Sequence, residues 1–504
     1  MVNGEKMTRR GFVGAAVVGS MGLAASSFLA GCSAPSAKED GASSSWDEEA
    51  DVIVVGSGGA GHAAALEAAR AGASVIILEK REVTGGDSSL CDGILGGAGT
   101  RLAKAQGIDL TADDVYAWFM ANPEWYGPKN PAVARVNAEE GGKTIDWLQD
   151  NGVPFDEAVG PRFGYTELPV IHQVQGKGSE MMRVLVQLAD EEGIKTVMNT
   201  AAKKLVFNES GRVVGVEAME KSKTLRFKAN KGVVLATGGY GGNGRLLTSL
   251  NAECANARPA KNPGSMGDGL VMALEAGALA SRTSNMPLLN SLAGMEVKSV
   301  VNLNYSERLH GLWLDANGER FFNEETPYEN PNGHRAILRK QNEQGKQVVV
   351  LLPTTPELDN LQSVRPLEWA KADTVEEVAG MVGLDPIKVR ATVDRYNGFC
   401  ESGKDEDFGR PAEFLVPMTG PFYAAMVTTS AGSVTVGGLK TNEKGQVLRL
   451  KIVGEEEDPT EVVPGLYGAG SVCEWNCAAG ATVLSAMAFG RVAGRNIVLE
   501  DPSA

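Results

Sequence analysis

The chain has 504 residues, 43% of them hydrophobic and 22% charged, with a formal net charge of −15. That length exceeds one simple core and calls for several segments, and the acidity argues against nucleic acid as a partner. The six cysteines form no C-x-x-C or C-x-x-C-H, and the four histidines (His62, His172, His310, His334) are scattered, so neither covalent haem nor a metal site is expected.

Residues 1–31 read as a removable export signal. Thr8-Arg9-Arg10-Gly11-Phe12-Val13 matches a twin-arginine pattern, and a weakly apolar stretch broken by Gly and Ser follows it. Leu29-Ala30-Gly31-Cys32 resembles a lipobox, in which Cys32 is lipidated and becomes the mature N-terminus. The expectation is a protein exported by the twin-arginine route and lipid-anchored on the outer face of the cell membrane. Residues 32–50 are small, polar and acidic, and read as a flexible tether.

The stretch from Asp51 to Lys80 is the strongest local signal. Asp51–Val55 is an apolar strand pattern, Gly56-Ser57-Gly58-Gly59-Ala60-Gly61 fits G-x-G-x-x-G, and an Ala-rich helix follows to about Ala71. A second apolar run, Ser74–Leu78, ends on Glu79. In a strand–turn–helix–strand unit, Gly56 permits the tight turn, Gly58 lets backbone N–H groups approach a pyrophosphate, and Gly61 lets helix pack on strand. The helix N-terminus favours the phosphates, and Glu79 suits a ribose diol. This predicts a dinucleotide site.

Further along, Thr84-Gly85-Gly86-Asp87-Ser88-Ser89 and Gly93 form a second Gly/hydroxyl loop. Helices are predicted at Ala112–Met120 and Pro131–Asn151, and Gly176–Glu191 reads as a loop feeding a helix. Strands are predicted at Thr196–Thr200, Lys203–Asn208, Val213–Glu220 and Thr224–Ala229. A separate strand, Gly232–Thr237, runs into Gly238-Gly239, and Gly267-Asp268-Gly269 opens a helix. From Met286 to Thr429 glycine thins out while aromatics and prolines rise, with a strand at Gln347–Leu352 and a helix from Asp385 to Gly403. Ser430 onward is Gly-rich again, with a strand at Val463–Gly470 and a small-residue helix from Gly480. The expected organisation is α/β: a doubly wound, Rossmann-like cofactor domain in two parts (51–285 and 430–504) with an inserted α+β capping domain (286–429).

Taken in order, these motifs, with Ala236-Thr237-Gly238-Gly239, Gly437-Gly438 and Gly465-Leu466-Tyr467-Gly468-Ala469-Gly470, resemble the FAD-binding family of fumarate reductase and succinate dehydrogenase flavoproteins, which includes the 3-ketosteroid dehydrogenases. The resemblance implies FAD in an extended pose and hydride transfer between flavin N5 and a carbon next to an activating carbonyl. It assigns to the cofactor Gly56, Ser57, Gly58, Gly59, Ala60, Gly61, Glu79, Lys80, Gly85, Gly86, Asp87, Ser88, Ser89, Gly93, Ala202, Thr237, Gly238, Gly239, Asp268, Gly470, Ser471, Thr482 and Val483. Gly61-His62 does not match the covalent FAD-histidine context, so the FAD is expected to be noncovalent.

The departures bear on substrate. Soluble fumarate reductases hold a dicarboxylate with histidines and arginines, and this chain carries Met286, Tyr328, Ser433 and Cys477 at the matching places, with Arg308 matching one cap arginine. Tyr328, following Arg320-Phe321-Phe322-Asn323-Glu324-Glu325-Thr326-Pro327, is similar to the ketosteroid dehydrogenase pattern, in which that tyrosine handles a proton. The same branch sets a glycine N–H, here Gly480, against the substrate carbonyl, and Asn476 stands where it has a second tyrosine. The reading is reduction of a C=C bond conjugated to a carbonyl, in an enone, ketosteroid-like or aromatic enoate substrate, with Tyr328, Gly480, Asn476 and Arg308 in the site. Electrons are expected from a separate quinol- or cytochrome-linked carrier. Desaturation next to a ketone is the alternative direction, and an electron-transfer lipoprotein without substrate chemistry is the alternative class. Tyr165 and His172 are candidates to line the pocket, and Cys473 with Cys477 reads either as a redox pair or as two small buried side chains.

Overall fold

A computed structural model describes residues 45–121, 130–162, 166–260, 262–281, 288–292, 310–325, 331–356, 358, 369–431, 435, 437–451, 460–474 and 482–501. The chain opens with β1 (Glu48–Val55), α1 (Gly59–Arg70) and β2 (Val75–Leu78). Because β1 begins at Glu48, the last residues of the expected tether are already sheet, with Glu48 in register with Phe227 and Glu49 with Lys228. The two acids are held there by Lys195 (2.6 Å) and Lys228 (3.0 Å), and Trp46 lies under the Arg226 guanidinium.

Next come β3 (Ile94–Gly96), α2 (Arg101–Ala105), α3 (Ala112–Ala121), α4 (Pro131–Asp150), β4 (Gly160–Arg162), β5 (Thr166–Gln173) and α5 (Lys177–Glu191). Then β6 (Lys195–Val197), β7 (Thr200–Phe207), β8 (Val213–Glu220), β9 (Lys223–Leu235), α6 (Gly244–Leu250) and α7 (Asp268–Glu275) follow. The predicted strands 224–229 and 232–237 are one continuous strand, β9. Gly232 does not end it. A Cβ at Gly232 would lie 2.5 Å from the Gly465 carbonyl oxygen, so the glycine lets the neighbouring chain close onto β9.

The middle of the chain supplies β10 (Leu288–Leu292), β11 (Leu312–Leu314), α8 (Pro331–Gln344), β12 (Val348–Pro353), β13 (Ala370–Ala372), α9 (Val375–Met381), α10 (Pro386–Ser402) and β14 (Phe422–Ala431). The chain closes with β15 (Gln446–Leu450), β16 (Thr460–Gly468) and α11 (Thr482–Ile497).

Among the described residues, the largest sheet has eight strands in the order β15-β16-β9-β1-β2-β6, with β8 and then β7 added to β9. The run β16-β9-β1-β2-β6 is parallel, and the pairs involving β15, β7 and β8 are antiparallel. This is the α/β, doubly wound fold expected. Its central strand is apolar on both faces: Val52 and Val54 join the cluster with α1, α4, α5 and α11, while Ile53 and Val55 join the cluster with α6, α7 and β8. The five-stranded antiparallel sheet β10-β14-β12-β11, with β13 on β14, takes all its strands from residues 288–431. Val348, Val350 and Leu352 face one core with Trp313, and Val349 and Leu351 face another with α9 and α10. A small sheet, β3-β5-β4, was not anticipated from the sequence.

α1 and α11 cross at backbone contact. A Cβ at Gly490 would lie 2.3 Å from the Ala60 carbonyl oxygen, and one at Gly494 would lie 2.3 Å from that of Ala64. Both pairs are spaced i, i+4, so two small-residue stripes face each other. Gly494→Ala should therefore force the helices apart and lower the unfolding free energy by about 1–3 kcal/mol. Gly398, exposed on α10 with nothing within 4 Å of its virtual Cβ, is the control. Gly398→Ala should raise stability by about 0.5–1 kcal/mol. Urea denaturation midpoints check both signs.

Candidate functional site

The turn after β1 is set by two glycines. Gly56 has φ +106°, and a Cβ there would lie 2.4 Å from the Ala236 carbonyl oxygen at the end of β9. A Cβ at Gly61 would lie 2.0 Å from the Gly56 carbonyl oxygen, so the first turn of α1 sits on the turn itself. Gly58 differs: its virtual Cβ finds nothing closer than Ser88 Oγ at 3.9 Å. It faces open space, and as the N-cap of α1 it offers no side chain to the first N–H groups.

That space is a groove of about 850 Å³, counted to its open mouth. Gly56, Ser57, Gly58, Gly59 and Ala60 line it on one side, with Glu79 and Lys80 from the end of β2 and Gly86, Asp87 and Ser88 from the second glycine loop. Ala202, Thr237, Gly238, Asp268, Gly470 and Ser471 complete the predicted set that lines it. Thr482 lines an adjoining cavity of about 440 Å³, which shares Gly470, Ser471 and Ala486 with the groove.

Besides Thr482, six predicted cofactor residues do not line the groove. Gly61 packs on Gly56, a Cβ at Gly93 would lie 2.7 Å from Lys177 Cα, and Val483 is buried in the α1/α11 core. Gly85 (φ +100°) and Ser89, whose hydroxyl donates to the Gly86 carbonyl at 2.9 Å, shape the short 3-10 turn Gly86–Leu90. Gly239 accepts from Gly267 N–H at 3.0 Å. These residues build the walls from behind. Conversely, Thr200, Asn262, Gly264, Ser265 and Ala486 line the groove and were missed, because nothing local marks a residue that only long-range folding brings to a ligand.

The polar chemistry of the groove is specific. Glu79 is 7% exposed, and its carboxylate accepts from Ser57 N–H (3.1 Å), Ser57 Oγ (2.6 Å) and Arg81 N–H (2.8 Å), which fixes its orientation at the tip of β2. Lys80 reaches Asp268, at the start of α7, at 2.6 Å. Gly59 N–H donates to Ser88 Oγ at 3.0 Å. Ser265 Oγ donates to Asp87 Oδ2 at 2.7 Å. Two polar atoms of the groove residues, Asp87 Oδ1 and Thr237 Oγ1, are buried and have no hydrogen-bond partner among the described residues. Buried polar atoms without partners are uncommon and point to a ligand.

His172 does not line the groove. It is fully buried on β5, with Nδ1 2.9 Å from the Val170 carbonyl and Nε2 2.8 Å from Thr100 Oγ1. The carbonyl fixes the proton on Nδ1, so Nε2 accepts from Thr100, which caps α2, and burial pulls the imidazole pKa below its ordinary value. Cys473 is buried and burial pushes its thiol far up, the behaviour of a small packed side chain. Cys32, Tyr165, Arg308, Tyr328, Asn476, Cys477 and Gly480 lie outside the described residues.

The segment leading to Tyr328 is described as far as Glu325, and it is tied down by buried charge. Arg320 binds Glu324 through two nitrogens (2.7 and 2.6 Å) and Asp405 at 2.9 Å. Arg410 binds Glu325 and lies 3.8 Å from Glu324. Burial pushes Asp405 up, but Arg320 outweighs it and holds the carboxyl below its ordinary value. For Glu325 burial outweighs Arg410, and its carboxyl is raised.

The family described as FAD binding domain matches residues 51–482. The chain belongs to this family. It is 31% identical over 464 residues to a probable fumarate reductase, Ifc3, of Shewanella frigidimarina, covering 89% of this chain and 75% of that one. It is 28% identical to the digoxin reductase of Eggerthella lenta, covering 98% of each chain. Among solved structures it matches the 3-ketosteroid-Δ4-(5α)-dehydrogenase of Rhodococcus jostii, bound to 4-androstene-3,17-dione, with TM-score 0.70 and 26% identity over 90% of this chain and 98% of that one. The protein is an FAD-dependent oxidoreductase that acts on carbon–carbon bonds.

The residues present fit the cofactor. The N-terminus of α1 and the space over Gly58 suit a pyrophosphate, the fixed Glu79 suits a ribose diol, and Asp87 and Thr237 hold polar atoms in reserve. Gly58→Ala should therefore leave the apoprotein's melting temperature within about a degree of wild type while weakening FAD binding at least about tenfold, roughly 1.4 kcal/mol. Gly56→Ala should lose the fold instead. Full FAD content in purified Gly58→Ala would place the dinucleotide elsewhere.

Proposed function

We propose that this protein reduces a C=C bond conjugated to a carbonyl in a neutral or singly charged substrate, an enone or aromatic enoate, using noncovalent FAD. Bound and reduced, FAD supplies the hydride to the electron-poor carbon. The chain must then do two things: stabilise negative charge building on the carbonyl oxygen, and deliver a proton to the other carbon. The Gly480 N–H, with the Asn476 amide, serves the first need and the Tyr328 hydroxyl the second. The phenolate left on Tyr328 recovers its proton from solvent. Desaturation beside a ketone runs through the same groups in reverse, and the similarity to a ketosteroid dehydrogenase supports that direction as the second reading.

The observation that carries this reading is Tyr328 itself, placed three residues beyond the locked Arg320–Glu325 segment where fumarate reductases carry an arginine. With Met286, Tyr328, Ser433 and Cys477 replacing charged groups, two carboxylates would be held in low dielectric without their counter-ions. Support for noncovalent FAD comes from His62, which is 1% exposed and has Nδ1 3.3 Å from the Gly58 carbonyl, outside the groove lining. The sequence contains no C-x-x-C-H, which supports electron supply by a separate quinol- or cytochrome-linked carrier.

The experiment is anaerobic reoxidation of the dithionite-reduced enzyme against a panel of enones, aryl acrylates and fumarate. Enones or aryl acrylates should reoxidise the flavin and fumarate should not; rapid fumarate turnover would refute the substrate class. Silence across the whole panel would favour an electron-transfer lipoprotein. Tyr328→Phe should lower turnover by about 10²–10⁴, or roughly 3–5 kcal/mol, with FAD content unchanged. A variant within about threefold of wild type would move the proton to another donor, Arg308 first.

Arg9-Arg10 and Cys32 support export in a folded state and a lipid anchor on the outer face of the membrane. Cys32→Ser should shift the protein from the membrane fraction to the soluble fraction. Wild-type protein in the cytosol with Met1 intact would end this part of the reading.

A further inference from the structure

We propose that Asp87 holds FAD as a neutral acid, donating its carboxyl proton to an oxygen of the bound dinucleotide, so that the apoprotein takes up a proton when it binds FAD. The inference rests on the groove being the FAD site. Asp87 is the second residue of the 3-10 turn Gly86–Leu90, and both its neighbours press on the N-terminus of α1. A Cβ at Gly86 would lie 3.4 Å from Gly58 Cα, and Ser88 Oγ accepts from Gly59 N–H at 3.0 Å. Asp87 is thus carried to the place where the helix N-terminus attracts a pyrophosphate.

Its two oxygens are unequal. Oδ2 accepts from Ser265 Oγ at 2.7 Å, while Oδ1 is buried with no partner among the described residues. An ionised carboxylate with one oxygen stranded away from water is costly. A bound pyrophosphate adds its own negative charge beside it, and like charges in one site favour the protonated form of the weaker acid. A carboxylic acid in the same place has an O–H to donate, and phosphate oxygens are acceptors only.

Among the described residues, the other charged groups around Asp87 compensate it only in part. Lys80 is taken up by Asp268 at 2.6 Å, and Glu79 already accepts from Ser57 and Arg81 N–H and adds negative charge. His62, behind Gly58 on α1, is kept toward its neutral form by burial. Burial pushes the Asp87 carboxyl above its ordinary value, and the Ser265 hydroxyl and the Arg81 charge oppose this without cancelling it.

The sign follows. If the bound state has the higher Asp87 pKa, FAD affinity is full below the apoprotein's Asp87 pKa and is lost as pH rises through the pKa of the complex. The test titrates apoprotein with FAD, read by flavin fluorescence, from about pH 4.5 to 8, with Kd rising by up to about tenfold per pH unit inside that window. Asp87→Asn should bind with a flat pH profile near the wild-type acid-limit affinity. Calorimetry of wild type in two buffers of different ionisation heat should show uptake of up to one proton. A flat wild-type profile, tighter binding at higher pH, or a slope that survives in Asp87→Asn would overturn the proposal, the last placing the proton on His62 or Asp268. Should Asp87→Asn fail to fold, absence of proton uptake by wild type still overturns it. Failure to bind FAD at any pH would instead refute the groove as the cofactor site.

Discussion

The structure depends on bringing backbone against backbone at one end of α1. Gly61 lies on the Gly56 carbonyl, Gly56 on the Ala236 carbonyl, Gly490 on Ala60 and Gly494 on Ala64, each at a separation that leaves no room for a methyl group. At these points the turn is fixed to β9, and the helix to the turn and to α11, by shape, with only backbone and methyl-sized groups at the contact. Close packing of this kind transmits position faithfully because interiors are as dense as organic crystals. The consequence is functional. The first N–H groups of α1 are held at a fixed place over Gly58, and FAD chemistry needs its dinucleotide fixed before anything else can be aligned to it.

Charge is handled in two ways. In the groove Glu79 is held by three donors and Lys80 by Asp268, so a dinucleotide meets polar atoms that are already oriented. Around Arg320 the charges are buried: Arg320, Arg410, Glu324, Glu325 and Asp405 have side chains no more than 4% exposed. Removing one partner from such a network costs about 3–5 kcal/mol because the remaining charge is left uncompensated. Three carboxyls face two guanidiniums there, and burial raises the Glu325 carboxyl above its ordinary value. The network gives the chain before Tyr328 a rigid base. Rigidity there matters for any proton donor, since small misplacements are costly in rate.

The middle of the chain is joined to the large-sheet unit by a second set of contacts. Glu253, in the turn before α7, pairs with Arg335 (3.1 Å) and Arg339 (2.7 Å) of α8, and the Glu253 carbonyl accepts from Asn342 at 2.7 Å. Leu338 from the same helix is buried in the core of the large sheet. Helix α8 thus helps seat the antiparallel five-stranded sheet on the cofactor fold, with apolar burial and ion pairs, and β14 adds a direct contact, the Thr429 carbonyl accepting from Arg258 N–H at 2.9 Å.

The residues alone determined the parts of this protein whose causes are local. The strand–glycine–helix–strand unit is written in two apolar runs and the spacing of Gly56, Gly58 and Gly61, and it appeared as read. So did α10, where Asp385 accepts from Ile387 N–H at 2.9 Å to cap the start and Gly403, with φ +71°, ends the helix. Most of the groove's lining was legible for the same reason: turns that expose backbone to a ligand require glycine, and glycine is visible in a sequence. Only the tertiary structure decided which glycines face the ligand and which face the protein. Gly58 and Gly61 look alike as letters, yet one opens on the groove and the other sits on the Gly56 carbonyl. The meeting of Asp87 with Ser265, of Arg320 with Asp405, and the burial of His172 beneath Thr100 were likewise invisible. These partners are distant in the chain, and periodicity and turn chemistry report only on neighbours. Which side chains share a buried space is settled by how the sheets and helices stack.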